Sequence, residues 1–495
     1  MINSRRLFSN AALSVVQTLV SAVLLFFLYR YLLDRLGPKL LGIWSLVLAS
    51  TSVARLSDMG FSGAVVKFVA QHLAQDEQQK VSRIVQTAAL SIGLILFIAM
   101  LGAYPVLAYI LSWAIPKDAL PQAIVILPWA VLSLWFGMAA AVFQSALDGC
   151  QRIDIRNGIL IFCNILYIGF VVWLVPNYGL KGLAQAQLAQ SVLLFGLCWF
   201  FLRRQLPNLP WIPSRWSRVE FKEMFSYAVH FQIASIVGLF FDPITKFLLS
   251  KYGGLSDTAY YEMASQIITK VRAVLISALQ VLVPVISGIK NTDYQQLNNI
   301  YQKSYRMLFF IVWPYYLCVA LAFPLISLVW IGHSESRFII SGQILAVGWL
   351  LSSLGLPAYF HNLGTGKIVW NTATQTLTAF LNSLLGWLLG ATYGSIGVVI
   401  AAMLSLTLPI WLLIFIVQRN LKVDNKELFP KESRRVMMIA IIGAIWGFVF
   451  MAYGKIYFSD EVSSSIVLLS YTCFMFLTIH SHPFWKKIQT FLLRR

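Results

Sequence analysis

Charged side chains are scarce in this 495-residue sequence. Asp, Glu, Lys and Arg together supply 12% of the residues, whereas soluble domains typically carry about 25%. Apolar residues supply 59% and the mean hydropathy is +0.74. A chain this apolar cannot cover itself with a water-compatible surface, which excludes a soluble globular protein and indicates that lipid is part of its solvent.

Acidic residues are also few: 19 Asp and Glu stand against 38 Lys and Arg, for a net charge of +19. The basic residues form short runs between apolar blocks, which is a signal of membrane topology and not of a nucleic-acid partner. The five cysteines show no metal-binding or redox spacing, so we expect small buried apolar side chains at Cys150, Cys163, Cys198, Cys318 and Cys473.

Catalytic motifs are missing as well. The nearest approach to a phosphate-binding loop, residues 361–368, has His361 in place of the first glycine and Ile368 in place of the Mg²⁺-binding hydroxyl. No zinc-protease, serine-hydrolase or Cys/His metal pattern occurs, and the loops expected outside are too short for a catalytic domain. The sequence therefore predicts that the chain is not an enzyme and uses no cofactor or metal.

Long apolar runs dominate what is present, and they predict an all-α polytopic membrane protein of about fourteen spans. An even number of spans, oriented so that most basic residues face the cytoplasm, places both termini there. The runs lie at 10–33, 39–59, 84–112, 121–147, 157–176, 182–202, 226–250, 258–284, 305–330, 338–361, 368–390, 394–417, 436–457 and 462–481.

Three short motifs recur about 215 residues apart. RYLLDRLG at 30–37 returns as KFLLSKYG at 246–253, and YGLKG at 178–182 returns as YGSIG at 393–397. The turn that begins at Leu147 is echoed at Leu363. Collinear matches at one spacing indicate an internal duplication, and because the offset encloses six spans, the two copies face the same way.

The duplication predicts two parallel six-helix lobes around a central cavity, as in a transporter with alternating access. The linker between them carries three prolines, and Trp211 and Trp216 suit the lipid headgroup layer. The predicted division is an N-terminal lobe at 1–202, a cytoplasmic linker at 203–225, a C-terminal lobe at 226–417, and a cytoplasmic loop with two further helices and a basic tail at 418–495.

Ionisable groups inside apolar runs cost roughly 2.5–3.5 kcal/mol each on insertion scales and therefore need partners. Asp242 and Lys246 are four residues apart and are expected to pair, with Glu262 as a third member. Lys270 and Arg272 have no acid within a turn. Either an acid on another helix or a bound anion would neutralise the one that faces inward.

The first run carries a polar stripe of Asn10, Ser14, Gln17 and Ser21, spaced by four, three and four residues. Such a stripe faces either a neighbouring helix, through hydrogen bonds between small polar groups, or a water-filled cavity. Arg30 points away from the stripe on a straight helix. A second feature lies in the seventh run, where Pro243 leaves the carbonyl of Leu239 without its helical donor and predicts a bend.

Several motifs resemble the polysaccharide transporter family, the Wzx-type O-antigen or capsule flippase branch of the multidrug/oligosaccharidyl-lipid/polysaccharide exporter superfamily. They follow one another in the family's order and together span roughly residues 5–420. The motifs are LGPKLLGIW and LSDMGF at 36–61, QSALDGCQRIDIRN at 144–157, NYGLKGLA at 177–184, and FFDPITKFLLSKYGG, YYEMASQIITKVR and LVPVIS at 240–287.

The resemblance implies flipping of an undecaprenyl-pyrophosphate-linked oligosaccharide across the bacterial inner membrane for O-antigen, capsule or exopolysaccharide assembly. It marks Asp242 and Arg272 as the family's acid and base. With Lys270, Lys246, Asn10, Gln17 and Arg30 they form the candidate substrate-binding set. Membrane lipid and the polysaccharide polymerase machinery are the further candidate partners. The rival is a multidrug or ion antiporter, which would favour acids and aromatics facing a cation; a non-transporting scaffold comes third.

Overall fold

The computed structural model describes residues 4–52, 61–226, 240–280, 282, 286, 294–367, 369–423, 431–454 and 456–480; the side chains of 4–15, 19, 52, 278, 280, 294, 431 and 432 lie outside the described set. The described residues form helices joined by turns and by one irregular segment at 206–217, with no strand, which confirms the all-α prediction. The helices are α1 Ser4–Ser52, α2 Phe61–Ala74, α3 Gln78–Ala114, α4 Leu120–Gly149, α5 Ile153–Gln205, α6 Phe241–Gly253, α7 Leu255–Gln280, α8 Tyr294–Trp330, α9 Ser336–Ser353, α10 Leu356–Thr365, α11 Val369–Leu421, α12 Lys431–Gly454 and α13 Asp460–His480.

Within the described ranges, eight helices are long and apolar enough to cross a membrane. Three of them, α1, α5 and α11, run for 49, 53 and 53 residues. About 20 residues cross a bilayer, so each of these helices is long enough to cross twice. Each is broken by one glycine with positive φ; Gly37 and Gly179 lie between the two spans predicted for their helices, and Gly394 is the first residue of the second predicted span. The chain is a multipass membrane protein.

The backbone repeats where the sequence repeats. Gly179 and Gly394 break their helices with φ of 55° and 63°, and left-handed residues close the equivalent turns at Gln151 and Gly366. The partner of Gly37 is Gly254, with φ of 86°, and not Gly253, so the register predicted from the sequence was wrong by one residue. Gly37, Gly179, Gly254 and Gly394 combine positive φ with an extended ψ, which only a residue without a Cβ adopts without strain.

The second glycine of each Tyr-Gly-x-x-Gly motif serves close packing. A Cβ placed on Gly182 would lie 2.4 Å from the carbonyl oxygen of Leu174, and one on Gly397 would lie 2.0 Å from that of Leu389. Both pairs of atoms face each other across the bend that the first glycine makes. The motif therefore encodes a tight helix–bend–helix unit, which occurs once in each repeat.

The span predicted at 338–361 is bent. The chain bends there by 42° between α9 and α10. Pro357 cannot donate the hydrogen bond that the Ser353 carbonyl would receive in a continuous helix. Gly355 lets the backbone approach Ile410, whose Cγ1 would lie 2.1 Å from an added Cβ.

The chain falls into two compact units, residues 1–259 and 260–495, and each has its own apolar core. The core of the second unit is built around α8 and includes Ala440 of α12 and Tyr471 of α13, so the two C-terminal helices pack within it. Cys163 and Cys198 are buried as expected, whereas Cys473 is exposed on α13. The lobe and linker boundaries stay a prediction.

Candidate functional site

Arg272 lies on α7 and stacks on an aromatic ring. Its guanidinium carbon is 4.1 Å from the ring centroid of Trp349 on α9. Its Nε is buried and has no hydrogen-bond partner among the described residues. A stacked guanidinium keeps its N–H edge available while the ring stabilises its charge through a cation–π contact. Arg272 is therefore a stacked cation whose Nε–H has no partner among the described residues.

Among the described residues, tyrosine hydroxyls lie around this arginine. Tyr316 and Tyr359 lie within electrostatic range of its charge. Tyr316 exchanges a 3.0 Å hydrogen bond with Ser353, and Tyr315 donates to the carbonyl of Val271 at 3.0 Å. These contacts connect α7, α8 and the end of α9 around Arg272 without neutralising it.

Lys270 is half-buried two residues before Arg272. Neither residue forms an ion pair with any acid in the described part of the chain. Whether an acid on another helix or a bound anion neutralises the one that faces inward stays a prediction. Because residues two apart differ by roughly 200° around a helix, the two cations face different directions.

Asp242 and Lys246 form the predicted ion pair on α6. The Lys246 Nζ is 2.6 Å from a carboxylate oxygen of Asp242, and the lysine side chain is 7% exposed whereas that of Asp242 is 47% exposed. A buried ammonium needs such a neighbour. The pair is close to neutral as a unit, so it presents no strong excess of either charge.

Glu262, the expected third member of that set, is buried on α7 and accepts a 2.8 Å hydrogen bond from Gln266 on the same helix. Pro243 occupies the first turn of α6, where a missing N–H costs little. The bend expected at Leu239 lies outside the described residues.

The polar stripe of α1 connects to both halves of α5. Gln17 donates to the Ser21 hydroxyl at 3.0 Å, Asn164 donates to the same hydroxyl at 3.1 Å, and Gln190 donates to Asn164 at 2.9 Å. Hydrogen bonding between helices therefore accounts for this part of the stripe. The side chains of Asn10 and Ser14 lie outside the described set.

Arg30 is exposed on α1, away from this chain of amides. Sequence reasoning missed Asn164 and Gln190, although each is an amide within an apolar run and that signal could have identified them. It also missed Trp349, which no local pattern separates from the other aromatic residues of the spans.

The fold and this arrangement define the chain as a polytopic helical protein of the kind found among lipid and drug transporters. Its fold is similar to that of the lipid II flippase MurJ in an inward closed conformation, with a TM-score of 0.76 at 14% identity over 97% of this chain and 99% of that one. For an inward-facing multidrug resistance MATE family transporter of the MOP superfamily, the TM-score is 0.67 at 15% identity, over 82% of this chain and 94% of that one. For a MOP superfamily transporter from Pyrococcus furiosus, the TM-score is 0.51 at 15% identity, over 85% of this chain and 94% of that one.

A family model narrows this class. The model described as polysaccharide biosynthesis protein matches residues 32–334, and the chain belongs to that family. No curated protein matches the sequence.

Proposed function

We propose that this protein moves an undecaprenyl-pyrophosphate-linked oligosaccharide from the cytoplasmic to the outer leaflet of the bacterial inner membrane, for O-antigen, capsule or exopolysaccharide assembly. The observation that carries the proposal is Arg272, a stacked cation with no acidic partner in the described chain, within a family of polysaccharide biosynthesis proteins. The cavity, the leaflet direction and the glycan belong to the proposal.

Pyrophosphate suits this arginine chemically. A guanidinium presents paired N–H donors that match two phosphate oxygens, and such charge-assisted bonds are roughly twice as strong as neutral ones. A cation inside an apolar helix costs roughly 2.5–3.5 kcal/mol. A bound anion offsets this cost in place of a carboxylate partner, which Arg272 does not have among the described residues. Lys270 would add attraction as a second positive charge nearby.

Sugar hydroxyls have candidate partners of their own. Amide side chains both donate and accept hydrogen bonds, and Gln17, Asn164 and Gln190 form a continuous set in the first unit. Asp242, Lys246 and Arg30 stay in the proposed substrate-binding set with smaller expected contributions. The first two already satisfy each other, and Arg30 is exposed.

A cation antiporter is the second candidate, and Asp242 favours it. This carboxylate is half-exposed although it belongs to a membrane protein, and the fold is shared with a multidrug transporter. In this alternative the carboxylate of Asp242 would release Lys246 and bind a transported cation. Arg272 would then bind no substrate.

Deletion of the gene separates the two functions. We expect loss of one surface polysaccharide with unchanged resistance to cationic drugs, because the cation at Arg272 attracts anionic and not cationic cargo. Glycan staining and drug sensitivity should be measured on the same strain, with plasmid-borne wild-type protein as the control. Drug sensitivity with normal surface glycan would support the antiporter and contradict the flippase.

Topology is a separate prediction, derived from the basic segments. Single cysteines at residue 210 and within 418–435, in a cysteine-free background, should resist impermeant thiol reagents in intact cells and react after lysis. A cysteine in place of Ser334, in a segment expected outside, is the matched control and should react in intact cells. Labelling of residue 210 from outside would reverse the orientation.

A further inference from the structure

Residues 206–222, here called the strap, follow the end of α5 and are hydrogen-bonded to α3. The side-chain oxygen of Gln86 accepts from the backbone N–H groups of Ser214 and Arg215, both at 3.1 Å. Thr87 accepts from the backbone N–H of Ser217 at 3.2 Å. Buried polar side chains of α3 thus serve as acceptors for an irregular backbone, which fixes the strap in one position.

Further contacts extend this attachment along α3. Trp216 donates its indole N–H to the Ser91 hydroxyl at 2.9 Å, and Arg83 forms a 3.1 Å ion pair with Glu220. The attachment therefore covers more than two turns of α3. A linker that merely spans a distance does not require so many specific partners.

The strap presents large apolar side chains to its surroundings. Trp211, Ile212 and Val219 are 73%, 75% and 74% exposed, and the first two lie in its irregular part. Trp211 is also held in place. The guanidinium carbon of Arg203 lies 3.6 Å from its ring centroid, and Trp199 donates to its backbone carbonyl at 2.9 Å. Exposure of a fixed tryptophan indicates a surface that is prepared for an apolar partner.

Positive charge surrounds these apolar groups. Glu220 is buried against α3 and does not offset that charge at the exposed face. Burial opposes its ionisation, but hydrogen bonds from Ser217 and its own backbone together with Arg83 lower the pKa of this carboxyl below its ordinary value. The exposed basic residues are Arg204, Arg215, Arg218 and Lys222, against the single exposed acid Glu223.

We propose that the strap binds the headgroup layer of anionic phospholipids and transmits that binding to α3. Tryptophan and aliphatic side chains beside arginines are the composition that inserts at a membrane–water interface, and clustered Lys and Arg attract anionic headgroups. The strap begins where the membrane-spanning α5 ends, so a lipid surface is the partner within reach. Because Gln86 and Thr87 hold the strap backbone, the bound lipid restrains α3 as well.

The depth of the apolar side chains in the lipid layer is the first test of this proposal. A nitroxide on Ile212→Cys, in full-length cysteine-free protein in phosphatidylcholine/phosphatidylglycerol nanodiscs, should be reached by oxygen and shielded from a water-soluble nickel relaxant. Asn208→Cys, whose side chain is also exposed but polar, is the matched control and should stay accessible to nickel. Equal nickel access at both positions would overturn the proposal, and so would shielding of residue 212 that appears only when cell extract is added.

The preference of the strap for anionic lipid is the second test, because the basic side chains should cause it. Native mass spectrometry of the wild-type protein should show phosphatidylglycerol retained several-fold over phosphatidylcholine. The triple variant Arg215→Gln, Arg218→Gln, Lys222→Gln should bring this ratio close to one. Removing the same charge elsewhere, with Lys117→Gln, Lys181→Gln and Lys251→Gln, should leave the ratio unchanged. Equal ratios in the two triple variants would refute a headgroup site on the strap. Both readouts are independent of transport, so failure here leaves the proposed flippase function standing.

Discussion

Arg272→Ala is expected to abolish export of the glycan while the protein still inserts at its normal level. Removing the guanidinium takes away a charge-assisted contact of about 3 kcal/mol, or roughly a hundredfold in affinity for a pyrophosphate ligand. No carboxylate of the described residues pairs with Arg272, so its removal strands none of these acids in low dielectric. The measurement is surface glycan and membrane protein level, compared for the same cells.

Three further variants separate the contributions of charge, guanidinium geometry and stacking to the role of Arg272. Arg272→Lys should restore export only in part, because the charge survives but the planar fork and the stacking on Trp349 do not. Trp349→Ala should weaken export by releasing the guanidinium from its position, and Lys270→Ala should weaken it through loss of charge alone. If Arg272→Ala instead lowers glycan and folded protein together, and neutralising an acid restores both, Arg272 is structural.

Gly182→Ala and Gly397→Ala are expected to prevent accumulation of folded protein. The added methyl carbon would lie 2.4 Å or 2.0 Å from a backbone carbonyl oxygen across the bend. Backbone cannot move aside as a flexible side chain does, so the helix halves must separate. We expect destabilisation of more than about 3 kcal/mol, beyond the usual range of overpacking. Membrane level and thermal melting in detergent measure this effect.

The matched controls for this experiment are on α5 itself. Gly169 and Gly196 are helical glycines with no atom within 4 Å of an added Cβ. Gly169→Ala and Gly196→Ala should leave the protein level unchanged and alter stability by no more than about 1 kcal/mol, in the stabilising direction. Equal melting of all four variants would show that the second motif glycine has no packing role.

The repeat was the part of the fold that sequence patterns predicted best, because conformational demands on glycine are local. A bend with positive φ needs glycine at one position whatever surrounds it, so Gly179 and Gly394 mark their breaks directly. The bend at Gly355 was missed: Pro357 is a local signal for it, but the close packing against Ile410 involves a residue far away in the chain. The one-residue error at Gly254 arose because two glycines stand side by side and spacing alone does not choose between them.

In the candidate site, too, contacts within one turn were predicted and contacts between distant segments were not. Spacing predicted the Asp242–Lys246 pair and the absence of a local acid beside Arg272, since both depend on neighbours within one turn. Stacking on Trp349 and the hydrogen bonds between Gln86 and the strap join segments that are far apart in sequence. No periodicity encodes such contacts, so they became visible only in the folded chain.

The set of lipid-linked oligosaccharides in a strain that lacks the gene measures flipping most directly. We expect that one undecaprenyl-pyrophosphate oligosaccharide accumulates, protected in intact cells from an impermeant sugar-oxidising reagent. Wild-type protein should clear it and Arg272→Ala, expressed at the same level, should not. A lipid pool unchanged by the deletion, or one that accumulates in the outer leaflet, would contradict the claim that this protein is the flippase.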